Sequence, residues 1–259
     1  MLTRFFDKTG EILLTNCHHL GLVGLFVYET IQALLTTRLR LKKVFYQMNY
    51  IGVSSVSIVF LVGIAVGAVL AIQSYVGLER FGSTQFIGPI VFLSMTREFG
   101  PVFTAIMVIG RAGSAMTAEL GSMRISEQID ALQTLCINPM QYLVVPRVLA
   151  TTFILPFLSI FCSFFGIMAG YVTSVYLLNI NAETYMEAIR ANVEMSDIIN
   201  GLIKAIIFGF LLSVIATYKG FFTRGGAKGL GLSTTQSVVY ANVTIIIADY
   251  ILTSLMFTK

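Results

Sequence analysis

Long apolar runs separated by short polar segments dominate the chain. A membrane-spanning helix needs about 20 mostly apolar residues, and Ile51 to Leu78 is the first clear stretch of that kind. It contains VGIAVGAVLAI, in which Gly63 and Gly67 have the small-xxx-small spacing that lets helix backbones approach closely in lipid. Such pairs also occur in membrane helices without a packing role, so the spacing alone leaves both readings open. Further apolar regions run from Phe86 to about Thr117, from about Val144 to Leu178, from Ile198 to Tyr218 and from Val238 to Met256. The third has Pro146 near its start and Pro156 inside it. The second and third are too long for straight spans: about thirty residues rise some 45 Å, against a hydrocarbon core of about 30 Å. They must tilt, kink or extend beyond the bilayer.

Residues 1–50 follow a different pattern. Leu20, Val23, Val27, Ile31 and Leu34 recur at steps of three or four and line one helix face. The run LGLVGLFVY is only nine residues long, and Asn16, His18, His19, Glu29 and Gln32 interrupt its surroundings. This pattern predicts a helix lying in the membrane interface. The basic cluster Arg38, Arg40, Lys42 and Lys43 would then touch anionic headgroups. The competing readings are a sixth span and a signal peptide. The second is disfavoured because the apolar run starts late and no small-x-small cleavage site follows. The expected fold is therefore an all-α integral membrane protein: an N-terminal interfacial amphipathic helix in residues 1–50, then five transmembrane helices in residues 51–259.

Composition agrees with the pattern. The chain of 259 residues is 56% hydrophobic and 12% charged, with a mean hydropathy of +0.83. Soluble domains carry about twice that share of charge. Lys and Arg collect in alternate connections: Lys42 and Lys43 before the first span, Arg111, Arg124 and Arg147 after the second, and Lys219, Arg224 and Lys228 after the fourth. The connection after the third is acidic, with Glu183, Glu187, Glu194 and Asp197 against Arg190. By the positive-inside rule the N-terminus is cytoplasmic and the C-terminus outside. Cys17, Cys136 and Cys162 are odd in number and far apart, so no disulfide framework is expected. Cys17–His19 suggests a metal ligand set only superficially, because three successive helical residues cannot converge on one ion.

Few residues could carry chemistry. No G-x-x-x-x-G-K-[ST] loop for ATP phosphates occurs. The glycine-rich stretch GGAKGLGLSTT, Gly225 to Thr235, is expected to be a flexible turn between spans. The polar features that need explaining lie inside the apolar regions. SMTREFGPVF, Ser94 to Phe103, places Arg97 beside Glu98 and ahead of Gly100-Pro101, which should break the helix locally. Charges in lipid are costly and usually face an interior or a wet cavity. Adjacent helical residues point about 100° apart, so the two cannot share one narrow direction. They either pin the helix through separate polar partners or line a polar pocket, and the reading favoured is the pocket. Asp249 is the only acid of the fifth span and should find a partner or a proton, most simply as a structural hydrogen bond. Lys204, early in the fourth span, is expected to snorkel outward.

The polar connection from Arg111 to Arg147 predicts a short helix, EQIDALQTL, with Ser126 as its N-cap and Asn138-Pro139 beyond its end. Ile129, Leu132 and Leu135 would give it a partly apolar face. It could be an ordinary connection or a docking helix for a cytoplasmic partner.

Three separated stretches resemble one family. TREFGPVFTAIMVIGRAGSAMTAELGSMRISEQIDAL, GLGLSTTQSVVYANVTIIIADYILTSLMF and GAVLAIQSY look like the signatures of MlaE-type permeases, the membrane subunits of ABC transporters that work with MCE-domain proteins. The resemblance covers the chain from about residue 45 onward. It implies a multi-pass protein of the bacterial inner membrane, or an organelle equivalent, that moves phospholipid between that membrane and the outer envelope. It further implies a homodimer, two cytoplasmic ABC ATPase subunits that bind ATP and Mg, and an MCE-domain ring on the outer side. No cofactor of its own, no enzyme activity and no nucleic-acid partner are expected. The segment at about 124–136 would be the coupling helix, with Glu119, Arg124, Ser126, Glu127, Asp130 and Leu132 at the ATPase contact. Leu70, Gln73, Tyr75, Val76, Leu78, Arg97, Glu98 and Phe99 would form the lipid site. The alternative classes are an ion-coupled secondary transporter and a structural membrane anchor. Secondary transporters often carry internal repeats, which this chain lacks.

Overall fold

The computed structural model describes residues 21–36 and 41–257. Cys17–His19, Leu20, Arg38 and Arg40 lie outside the described residues. Five long apolar helices carry the fold. We label the helices α1 (Gly21–Thr36), α2 (Leu41–Glu79), α3 (Thr84–Ile125), α4 (Gln128–Thr134), α5 (Met140–Leu177), α6 (Ala182–Asn192), α7 (Met195–Phe221) and α8 (Gly226–Phe257). The described residues contain no strand.

Every span is longer than its apolar run. Helix α2 has 39 residues and α3 has 42, about 58 and 63 Å at 1.5 Å per residue. Both therefore reach well beyond a 30 Å hydrocarbon core. Helix α3 stays continuous by widening. It contains π turns at Met95–Phe99 and Ile109–Gly113. Pro101 has no N–H to give the Arg97 carbonyl, and its ring crowds that carbonyl. The turn ahead of it opens so that the Gly100 N–H donates to the Met95 carbonyl. The Ser163 hydroxyl of α5 donates to that same carbonyl at 2.9 Å. The local break expected at Gly100-Pro101 is thus a π turn within an unbroken helix.

The glycine-rich segment also departs from expectation. Only Gly225 and Gly226 have positive φ, 90° and 62°; from Gly226 onward GAKGLGLSTT is the first part of α8. Two glycines make the turn, and the helix after them packs Leu230 on Gly121 of α3, where a Cβ would meet it at 2.5 Å.

Helices α2 and α5 form the closest crossing. A Cβ on Gly63 would lie 2.7 Å from the Cys162 carbonyl oxygen, and one on Gly67 only 1.9 Å from that of Gly166. The Gly63/Gly67 spacing is therefore a packing face. Around it Ile51, Val108, Leu155, Phe208, Leu212 and Ile245 bring all five spans into one core. Helix α8 is the least buried span; its Val239, Val243, Ile246, Ile247, Tyr250 and Leu255 are exposed. Helix α1 packs Phe26, Thr30 and Ala33 against Val144, Val148 and Val214 of α5 and α7. Of the face expected to be apolar, Val27 and Leu34 take part and Ile31 is exposed. The helix is apolar around most of its circumference, so tertiary contact selects the arc.

Candidate membrane-embedded polar site

Helix α7 brings two separate acid–base contacts to α3. Its first turn is fixed by Asp197, whose Oδ2 accepts from the Glu194 backbone N–H at 3.0 Å. The other carboxylate oxygen of Asp197, which is buried, accepts from Arg97 Nε at 2.9 Å and also pairs with its Nη2. Two turns further on, Lys204 reaches the next acid of α3. Asp197 and Lys204 are seven residues apart and share a face of α7, so Arg97 and Glu98 diverge along one partner helix. The 100° separation of neighbouring side chains is resolved in that way.

Lys204 is fully buried, 0% exposed. Its ammonium donates to Glu98 Oε2 at 2.5 Å, Asp249 Oδ1 at 2.9 Å and Thr253 Oγ1 at 2.7 Å. That uses all three of its hydrogens. The expectation that Lys204 snorkels outward is wrong. It sits nine residues into α7, about 13 Å from the helix start, with α3 and α8 closing over it. The expected partner for Asp249 is this lysine. The Thr253 hydroxyl in turn donates to the Asp249 carbonyl at 2.7 Å, fixing the α8 rotamer that faces the site.

The cluster is buried from the cation side only. The side chains of Glu98, Asp249 and Arg97 remain 31%, 24% and 34% exposed. The Lys204 end is dry, and both carboxylates reach the surface at the depth of the spans. One cation faces two acids there, and Arg97 is engaged by a third.

The remaining candidate lipid residues divide. Leu70, Tyr75, Leu78 and Phe99 pack around a common apolar cluster with Ile87, Val91 and Met95. Phe99 also stacks on Phe103, ring centroids 5.6 Å apart. The Tyr75 hydroxyl donates to Glu79 at 2.9 Å. Gln73 and Val76 lie exposed on the opposite arc of α2.

At the other end of the bundle α4 forms an elbow between α3 and α5. Ser126 is not its N-cap: its hydroxyl donates back to the Ser122 carbonyl at 2.8 Å, closing α3. Glu127 starts α4 from a left-handed conformation, φ 57°, with its carbonyl accepting from the Ala131 N–H at 2.9 Å. Such a φ is uncommon for a non-glycine residue and makes the reversal sharp. Ile129 is fully buried with Leu120 and Leu143, and Leu132 packs on them. Leu135, expected on the same face, is 69% exposed, because α4 ends at Thr134 and the chain turns away. Arg124 donates to Asp130 at 2.5 Å across the elbow, and Arg147 donates to Glu119 at 3.1 Å. The first pair ties α4 to α3 and the second ties α3 to α5, while Gln128, Ala131, Gln133 and Thr134 face outward.

Sequence reasoning missed two members of the membrane cluster. The signal for Lys204 was a cation in an apolar span, which should be read as an interior group by default. The signal for Asp197 was its capping-box spacing from Glu194, which fixes it at a helix start.

Comparison with known proteins shows the family of the chain. The family model described as permease MlaE matches residues 44–255. A probable ABC transporter permease protein of Rickettsia typhi is 38% identical over 257 residues, covering 99% of both chains. The intermembrane phospholipid transport system permease protein MlaE of Haemophilus influenzae is 33% identical over 258 residues, again 99% of both. The chloroplastic protein trigalactosyldiacylglycerol 1 of Arabidopsis thaliana is 36% identical over 235 residues, 91% of this chain and 67% of the plant protein.

Proposed function

The chain belongs to the permease MlaE family as a multi-pass inner-membrane ABC transporter permease, and from that premise we propose that it moves phospholipid between the inner membrane and the outer envelope. Two copies work together. Two ABC ATPase subunits, which bind ATP and Mg, dock on α4 from the cytoplasm, and an MCE-domain ring sits at the opposite end. The basic residues Lys42, Lys43, Arg124, Arg147, Lys219 and Arg224 gather at the α4 end, while Glu183, Glu187, Glu194 and Asp197 lie at the other. That asymmetry supports a cytoplasmic N-terminus and an external C-terminus.

The observation that carries the reading is the surface exposure of Glu98 and Asp249 beside a dry Lys204. Ionised groups cannot face hydrocarbon cheaply, so this patch adjoins a polar occupant or a second copy. A lipid headgroup held between two copies satisfies both demands. Glu98 is balanced by Lys204 rather than by Arg97, and its outer oxygen is placed to read the headgroup. Leu70, Tyr75, Leu78 and Phe99 supply apolar walls for acyl chains next to it, and Gln73 and Val76 reach the cavity from the outward arc of α2. The exposed apolar face of α8 is the contact with the second copy. ATP-driven closure of the ATPases moves α4, the Arg124–Asp130 pair passes that movement to α3, and the Arg147–Glu119 pair passes it on to α5. A lipid is displaced only because the two conformations bind it differently.

The test uses Arg97→Ala and Glu98→Ala in the reconstituted complex. Loss of lipid transfer and of lipid-stimulated ATP hydrolysis is expected, and full retention of both in each variant sinks the pocket. Co-purification decides against an ion-coupled secondary transporter, which would bring no ATPase with it.

A further inference from the structure

A second polar pocket lies far from the Lys204 cluster, where the start of α2 meets the start of α5. It encloses about 210 Å³ and is lined by Lys43, Tyr46, Gln47, Tyr142, Pro146 and Arg147. Arg147 is only 8% exposed. Its two Nη atoms are used, on the Leu143 carbonyl at 2.8 Å and on Glu119 at 3.1 Å. Among the described residues, buried Arg147 Nε and buried Gln47 Oε1 find no hydrogen-bond partner. Buried polar groups in native structures are nearly always satisfied, so an orphan donor on a buried cation marks a place for an acceptor. Lys43 Nζ, at the same pocket, rests over the Tyr142 ring instead of on a carboxylate.

We propose that this pocket binds the phosphate of a membrane phospholipid from the leaflet at the α4 end. Three observations select that occupant. Two cations line the pocket, and Glu119, the acid paired to Arg147, leaves Lys43 without a carboxylate partner. An oxygen-rich anion can take Arg147 Nε directly. The rim is greasy on the α2 side: Tyr46, which lines the pocket, and Phe45 next to it in the chain are exposed. A soluble anion would leave that rim uncovered, whereas acyl chains lie against it. The pocket is also at the correct depth. Arg147 and Ser163, which contacts the α3 turn carrying Glu98, are sixteen residues apart on α5, about 24 Å. The two polar sites therefore lie at opposite leaflets. The inference needs the membrane embedding of the chain and does not depend on the transport reading above.

The chain contains no tryptophan, so Tyr46→Trp gives a single reporter at the pocket. The full-length variant is placed in vesicles containing brominated phosphatidylglycerol or brominated diglucosyldiacylglycerol of the same chains. The expected result is a relative affinity about fivefold higher for the phospholipid, the preference one membrane-surface cation confers. Adding Lys43→Gln should abolish the preference, while Lys42→Gln, an exposed neighbour outside the pocket, should leave it. Three results would overturn the proposal: equal quenching by both lipids, an equal effect of the two lysine variants, or displacement of the lipid by millimolar inorganic phosphate, which would make the pocket a soluble-anion site.

Discussion

Replacing Lys204 by Met isolates the strongest interaction in the bundle. Met matches the length of the side chain and removes only the ammonium. Each of the two ion pairs, at 2.5 and 2.9 Å, has a gross attraction of about 6 kcal/mol at an effective dielectric constant of about 20. Desolvation of the fully buried ammonium cancels much of that sum. The measured cost of breaking such a buried pair is about 3–5 kcal/mol, because the partner charges are left uncompensated. Here two carboxylates, on α3 and α8, would face each other without a cation. For a domain of this size about 1 kcal/mol shifts Tm by roughly 2–4 °C, so Lys204→Met should lower Tm by about 10 °C in detergent. Adding Glu98→Gln and Asp249→Asn should recover most of the loss, since amides need no counter-charge. The assay is thermal unfolding followed by the onset of aggregation, with single, double and triple variants compared in one detergent. A Lys204→Met protein within about 2 °C of the parent would refute the argument, as would a triple variant no more stable than the single.

Other consequences can be checked with the same protein. Gly67→Ala places a methyl 1.9 Å from the Gly166 carbonyl oxygen, so the α2–α5 crossing must separate and Tm should fall, whereas Gly77→Ala, which meets nothing within 4 Å, should leave it unchanged. A double-mutant cycle on Arg97→Gln and Asp197→Asn should return a coupling of about 1.5–3 kcal/mol, the range for hydrogen bonds to charged groups; additive effects would show that the pair is incidental. Ile129→Ala should destabilise the α4 elbow by about 2–5 kcal/mol, read by limited proteolysis between residues 126 and 138. Gln133→Glu with Leu135→Glu, on the outward side, should leave Tm unchanged and weaken ATPase co-purification; unchanged co-purification would remove α4 from the docking surface.

The five spans, the N-terminal helix and the short helix after α3 were legible, the spans because hydropathy is set by burial in lipid, which needs no knowledge of partners; α6, in the acidic connection, was not read as a helix. Span ends were read short by up to about a dozen residues at α8, since helix continues through polar residues such as Lys228 and Ser233 once a bundle supports it. GGAKGLGLSTT was misjudged for the same reason: glycine lowers helix propensity, but the stretch continues into a supported helix whose Leu230 packs on Gly121 of α3. The charged pair Arg97-Glu98 stood out in the sequence, with separate polar partners as one alternative and a polar pocket as the favoured one. Its partners were not legible, because the pairing is made across α7 at a distance of about one hundred residues in sequence. Ser126 had the composition of an N-cap, yet the reversal at Glu127 lets its hydroxyl serve α3 instead.

The central claim is that lipid occupies the surface beside Glu98 and leaves it when the ATPases fire. A photoreactive phenylalanine analogue at Phe99, in the complete transporter in phospholipid vesicles, measures this directly, with the same analogue at exposed Phe153 as a site that meets only bulk lipid. The account predicts a phospholipid adduct at position 99 that falls sharply when ATP and Mg are added, and an adduct at 153 that does not change. No lipid adduct at 99, or one indifferent to ATP like that at 153, would contradict it.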